Sequence, residues 1–147
     1  MLIFIVFYRS YVIRISLPEN ASYLVYAHFI TTNLYTLKRM FLLVTKYLIP
    51  KGFRGLAVFP FVLVKYQLDK ENSDFVNHER IHLRQQLELL LLPFYIWYSI
   101  EFLVRLIQYK NFDLAYKNIS FEREAYAKEN DLDYLKKRSF WSFFKYV

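Results

Sequence analysis

The 147-residue chain contains no cysteine, which excludes disulfides and thiolate metal sites alike. Glycine is nearly as scarce. Its two copies both fall within Lys51–Gly55, so that segment reads as a turn or loop. Long apolar runs are missing too. A membrane-spanning helix needs about 20 mostly apolar residues. The uncharged run from Leu89 to Ile100 is only twelve long and contains Pro93. The longer one from Asn20 to Leu37 is interrupted by Asn, Ser and Thr residues and by His28. The N-terminus is apolar but has no basic region ahead of its apolar residues and no small-residue cleavage site after them, so it makes a poor signal peptide. No internal repeat is visible. These absences point to a cytoplasmic or peripheral membrane protein.

What is present is apolar, aromatic and basic: 56% hydrophobic residues, 21% aromatic ones and a net charge of +7. A basic balance suggests an anionic partner, most simply a membrane surface. Nucleic acid is supported by charge alone, because no groove-reading motif accompanies it. The stretch Leu87–Ile107, with Tyr95, Trp97 and Tyr98, suits a bilayer interface. A buried helix packed on its neighbour is the preferred expectation there. The aromatic tail Phe140–Tyr146 can cap a core or dip into a membrane.

Histidine is also sparse, and this concentrates attention. Two of the three copies stand in His78-Glu79-Arg80-Ile81-His82. On an α-helix, residues four apart project from one face, so these two imidazoles can bind one Zn²⁺ at about 2.0–2.1 Å each. Glu79, about 100° around the axis from His78, can reach a water activated by that metal without ligating it, the position a general base needs. By chance, H-E-x-x-H arises in about three chains per thousand of this composition, so its surroundings must decide. Ser73 and Asp74 are good N-caps. Val76, Leu83, Leu87 and Leu90 supply an apolar side, which makes a merely solvated histidine pair a poorer explanation.

Such a metal site needs a third protein ligand and an open fourth position. His28 lies far upstream. The better candidates are downstream in Ser120–Tyr126, where Ser120 can cap a helix. Glu122 leads and Glu124 is the alternative. Both acids would also stabilise a helix N-terminus without any metal.

The pattern His78-Glu79-x-x-His82, followed on a later helix by Glu122-x-x-Ala125, resembles the zincin metallopeptidases of the gluzincin type. The resemblance implies Glu122 as third ligand and Glu79 as catalytic base. The runs Asn77–Gln86 and Phe121–Tyr126 are further similar to small HExxH proteins of Bacteroidetes-like bacteria, which begin near a sequence like Met40–Leu48. It extends over about 40–147, which implies a zincin-like domain there and an N-terminal extension over 1–39. One departure stands out. Tyr126 follows Ala125 where the gluzincin pattern carries an acidic residue, so the carboxylate expected to support the ligands is missing from its place.

The remaining segments fit an α+β, mainly helical fold. Leu56–Tyr66 reads as a strand, with Pro60 marking an edge or a bulge. A free edge there would pair with an extended peptide. Asp69–Asp74 reads as a polar loop leading into the metal helix. A helical hairpin partner follows from Pro93 to about Lys110, then a short turn at Leu114–Lys117. The Glu-bearing helix runs from Ser120 to about Lys137, with Ala125, Tyr126, Leu132 and Leu135 inward. Residues 9–16 show partial strand alternation, and Ala21–Leu37 fits helix or strand equally well. Two functional classes follow. One is a zinc-dependent hydrolase acting on a peptide or protein, with His78, His82 and Glu122 on Zn²⁺, Glu79 as base, and Tyr126 or Arg123 as candidate oxyanion donors. The other is a non-catalytic membrane-surface or interaction protein that retains the helix arrangement.

Overall fold

The computed structural model describes residues 5–8, 11–14 and 40–147. The chain divides into two units, Met1–Tyr35 and Thr36–Val147. In the first, β1 (Ile5–Tyr8) and β2 (Tyr11–Arg14) pair antiparallel, with Tyr8 opposite Tyr11 and Ile5 opposite Arg14. Their β-branched and aromatic residues suit a pleated surface. β2 falls within 9–16, where a strand pattern was expected. His28 and the ambiguous stretch Ala21–Leu37 lie outside the described residues.

The second unit is α+β and mainly helical. Its sheet has three strands, β3 (Phe41–Val44), β4 (Gly55–Val58) and β5 (Phe61–Val64). β5 lies in the centre, parallel to β3 and antiparallel to β4. The single strand expected over Leu56–Tyr66 is therefore a tight hairpin, with Phe59 and Pro60 at its turn. The turn is where a residue without an N–H disturbs the ladder least. Alternate residues Val62 and Val64 face inward and pack with Ala57 and Leu83.

Where a polar loop was expected, the chain forms α1 (Gln67–Glu71). Its Asp69 is buried and pairs with Arg54. The central helix, α2 (Ser73–Leu89), begins at Ser73, so its cap lies one residue before the first of the two expected. Asn72 is the cap, its side chain accepting from the Phe75 N–H at 3.0 Å. Val76, Ile81 and Leu83 are buried in α2, but so are Asn77, Glu79, Arg84, Gln85, Gln86 and Glu88. A helix enclosed on nearly every side by polar residues must satisfy them inside the protein. Leu90, expected on the apolar inner side, is instead an exposed corner with φ 65°. There α2 and α3 (Leu91–Tyr109) turn through 112°. α3 begins ahead of Pro93, which falls in its first turn, where an N–H has no helical acceptor to lose. Among the described residues no single helix is long and apolar enough to cross a membrane. The buried helix preferred for Leu87–Ile107 is not realised: Phe94 is the only residue of α3 that is fully buried.

After α4 (Phe112–Lys117), α5 (Ser120–Lys128) carries the downstream acids. Ile119, not Ser120, is its N-cap residue. The Ser120 N–H and hydroxyl donate to Glu101 of α3 at 2.8 and 2.6 Å. The helix expected to reach Lys137 stops at Lys128, and α6 (Tyr134–Lys137) is separate. Asn77 of α2 caps this end. Its amide meets the carbonyls of Lys128, Glu129 and Asp131 at 3.3, 2.9 and 3.1 Å, satisfying groups that the end of a helix leaves without intrahelical partners. Of the residues expected inward, Ala125 is buried and Leu135 partly so, whereas Tyr126 and Leu132 are exposed. The tail forms a short 3₁₀ helix, Ser142–Tyr146, that inserts Phe143 among Phe94, Ile119 and Phe121. Each such aromatic contributes about 1.5–3 kcal/mol through burial.

Candidate metal centre

Three side chains converge on one point inside the second unit. His78 and His82 come from successive turns of α2, and Glu122 from the first turn of α5. All three are buried, at 5%, 7% and 2% exposure. The His78 and His82 Nε2 atoms lie 3.1 Å apart. Glu122 Oε2 is 3.4 Å from His78 Nε2, and its Oε1 is 3.2 Å from His82 Nε2. Tetrahedral ligands at about 2.0–2.1 Å from a zinc ion stand about 3.3 Å apart, so the spacing fits a small divalent cation.

The protonation pattern fits as well. His82 Nδ1 lies 2.8 Å from Gln85 Oε1. The amide of Gln85 cannot be turned round, because its NH₂ donates to the Phe121 carbonyl and to Glu124 Oε2 at 3.1 and 3.0 Å. His82 must therefore donate from Nδ1, which leaves the Nε2 lone pair aimed at the cluster. His78 Nδ1 lies 2.9 Å from Glu129 Oε2, an acceptor with the same consequence. Glu122 Oε2 is buried and accepts no hydrogen bond among the described residues. Two imidazole lone pairs and a carboxylate oxygen in one buried place require a cation. The His78, His82 and Glu122 cluster could hold a metal ion. Without one, a proton takes the role. Burial opposes charge on His82, but Glu122, Glu79 and the hydrogen bond to Gln85 together outweigh it and raise the pKa to about 9. Burial likewise works against the Glu122 carboxylate, and the two histidines hold it well below the usual range.

The supports of these ligands were not legible as such in the sequence. Glu129, the C-cap residue of α5, supplies the carboxylate that meets His78 Nδ1. Tyr98 of α3 donates to Glu122 Oε1 at 2.8 Å. Burial and then the Glu122 charge push the Tyr98 and Tyr116 hydroxyls up, so both stay protonated donors. Tyr126 stacks edge-on against His78, with ring centroids 4.7 Å apart.

Glu124, the alternative third ligand, is turned away from the cluster. It accepts from Gln85, from Tyr134 at 2.7 Å, and from Arg138 at 2.5 and 3.0 Å. Arg138 also pairs with Glu88, so this network fastens the C-terminal segment to α2 and α5. Removing Arg138 would leave two uncompensated buried carboxylates, at a cost of about 3–5 kcal/mol. Arg123 is exposed and donates to the Tyr146 carbonyl at 2.6 Å, away from the histidines.

Glu79 is 6% exposed and borders two cavities. One, of about 300 Å³, is lined mostly by apolar groups and reaches His82 and Glu122. The other, of about 660 Å³, includes His78, Tyr116 and Tyr126. Burial pushes the Glu79 carboxyl above its ordinary 4.5, against the pull of His82 and His78. Gly55, at the start of β4, lies directly over it. A Cβ there would stand 2.4 Å from Glu79 Oε1 and 2.6 Å from the Phe75 ring. Any larger residue here would have to push aside the ends of the Glu79 and Phe75 side chains. Comparison of the chain with protein-family models, with curated proteins and with solved structures finds no match, so the case for the site rests on its own geometry.

Proposed function

We propose that this chain is a zinc-dependent hydrolase of zincin type that cleaves peptide bonds, with His78, His82 and Glu122 as metal ligands and Glu79 as general base. The observation that carries this proposal is the placement of Glu79, buried at the junction of two cavities and beside a ligand set that demands a cation. A zinc ion, when bound, would supply a water made acidic enough to ionise near pH 7 and a Lewis acid for the scissile carbonyl.

The chain's own residues account for the rest. The raised pKa of Glu79 suits it to take a proton and return it to the leaving amine. Tyr126, its pKa raised to about 12 by burial and then by Glu122, remains a neutral donor able to stabilise a developing oxyanion from the larger cavity. β4 is an edge strand. The Ala57 carbonyl points away from β5, since it accepts from Gln86 at 2.8 Å. By the alternation of an antiparallel ladder, the main-chain groups of Gly55 point the same way, toward the apolar cavity that Gly55 lines. They can pair with an extended substrate there.

The test is Glu79→Gln assayed on a fluorescence-quenched peptide library. Retained metal with lost cleavage supports the base assignment, because an amide cannot accept the proton. Equal loss of metal and cleavage would show Glu79 to be structural.

A further inference from the structure

We infer that the outward face of α3 is a docking surface for a lipid bilayer with anionic headgroups. The charge pattern of α3 is the reverse of that of a helix facing water. Its two charged residues, Glu101 and Arg105, lie on the inward side. Glu101 accepts two hydrogen bonds from Ser120, and Arg105 stands 3.6 Å from Glu101. The outward row is Leu92, Ile96, Ile100, Leu103, Val104 and Ile107, each between 52% and 77% exposed. No charge interrupts it from one end of the helix to the other.

The borders of this face argue for lipid over protein. Trp97 flanks it and packs edge-on against Phe144 at 5.6 Å, and Phe144 meets Trp141 at 5.5 Å, so the C-terminal tail extends the apolar surface with exposed aromatic rings. Tryptophan and tyrosine favour the headgroup level of a bilayer. Exposed cations stand beside these apolar groups, Lys110 at the C-cap of α3 and Lys145 in the tail. The chain's charge of +7 complements an anionic leaflet. Since no single described helix is long and apolar enough to cross, α3 would lie in the interface plane. Its inward residues Phe94, Tyr98 and Phe102 line the apolar cavity beside Glu79, so docking would hold the metal centre about one helix diameter from the lipid.

The test is flotation of the full chain with vesicles of phosphatidylcholine alone or mixed three to one with phosphatidylglycerol. The expected result is binding to the mixed vesicles, at least about tenfold weaker on the neutral ones. The Ile100→Glu/Val104→Glu variant should lose binding by at least about tenfold with an unchanged circular dichroism spectrum. Should that variant misfold, Ile107→Asp at the most exposed position of the row takes its place, expected to show the same loss. Wild-type protein that stays in solution with both vesicles overturns the proposal, as does binding that survives the acidic substitutions. A dimer that those substitutions dissolve, with no vesicle binding, would assign the face to a second copy of the chain and overturn it equally.

Discussion

Replacing Glu129 separates a metal site from an ordinary buried polar cluster. Glu129 is the C-cap residue of α5, where the helix dipole disfavours a negative charge. Its side chain is 29% exposed and meets His78 Nδ1 at 2.9 Å. A carboxylate placed for stability alone would not be expected there. Carboxylates that hold a ligating histidine are worth about 10–100-fold in metal affinity, which is about 1.4–2.7 kcal/mol. Partial exposure screens Glu129 and places it near the lower end. Glu129→Gln, which keeps an acceptor but loses the charge, should weaken zinc binding about tenfold. Glu129→Leu, which loses both, should approach the upper end of that range. Neither should lower the stability of the metal-free fold by more than about 0.5 kcal/mol, because the dipole penalty is removed along with the histidine contact. Zinc affinity by competition with a chromophoric chelator, and urea denaturation of metal-free protein, give the two numbers. Unchanged affinity in both variants, or a large loss of metal-free stability with affinity intact, would refute the role assigned to Glu129.

Three further outcomes are expected. Gly55→Ala should reduce peptide cleavage far more than zinc binding, because the new methyl displaces Glu79 and Phe75 but touches no ligand; equal losses of both in parallel assays would contradict this. In metal-free protein the folded-state pKa of His82, raised to about 9, lies above its ordinary 6.5, so the stability from its pairing with Glu122 is complete below about pH 6.5 and lost as pH rises through about 9. Zinc displaces that proton, so calorimetry at pH 7.5 in buffers of differing ionisation enthalpy should find at least about one proton released per zinc, and more where a metal-bound water ionises as well; no buffer dependence would exclude a protonated His82. A chain beginning at Met40 should bind zinc with the full-length affinity, since every ligand and every support found for one lies after that residue. A truncated protein that is insoluble or metal-free would show that the first 39 residues belong to the fold.

The motif helix was readable because its signals are local: an apolar row, polar caps just ahead and two histidines one turn apart. Glu122 was readable as a third ligand through the Glu122-x-x-Ala125 pattern that resembles the gluzincins, since its first-turn position alone fits a helix dipole equally well. The supports were not, because each depends on chain segments meeting in space. Gln85 can orient His82 only once Phe121 and Glu124 hold its amide. Glu129 reaches His78 from just past the end of α5, beside carbonyls that Asn77 caps. The β4–β5 hairpin was read as one strand because Phe59-Pro60 carries no glycine or asparagine to mark a turn. The environment of α3 escaped for a different reason. An apolar helix reads the same whether its outer row meets protein or solvent, and only the inward placement of Glu101 and Arg105 distinguishes the faces.

The most direct test of the central claim combines metal analysis with activity in four proteins: wild type, His78→Ala, Glu122→Ala and Glu79→Gln. Each would be loaded with zinc, desalted, and assayed on the peptide library. The expected result is one zinc per chain and measurable cleavage in wild type, no retained zinc and no cleavage in the two ligand variants, and one zinc without cleavage in Glu79→Gln. Wild-type protein that retains no zinc, or ligand variants that hold it as well as wild type does, would contradict the assignment of His78, His82 and Glu122 as the metal centre.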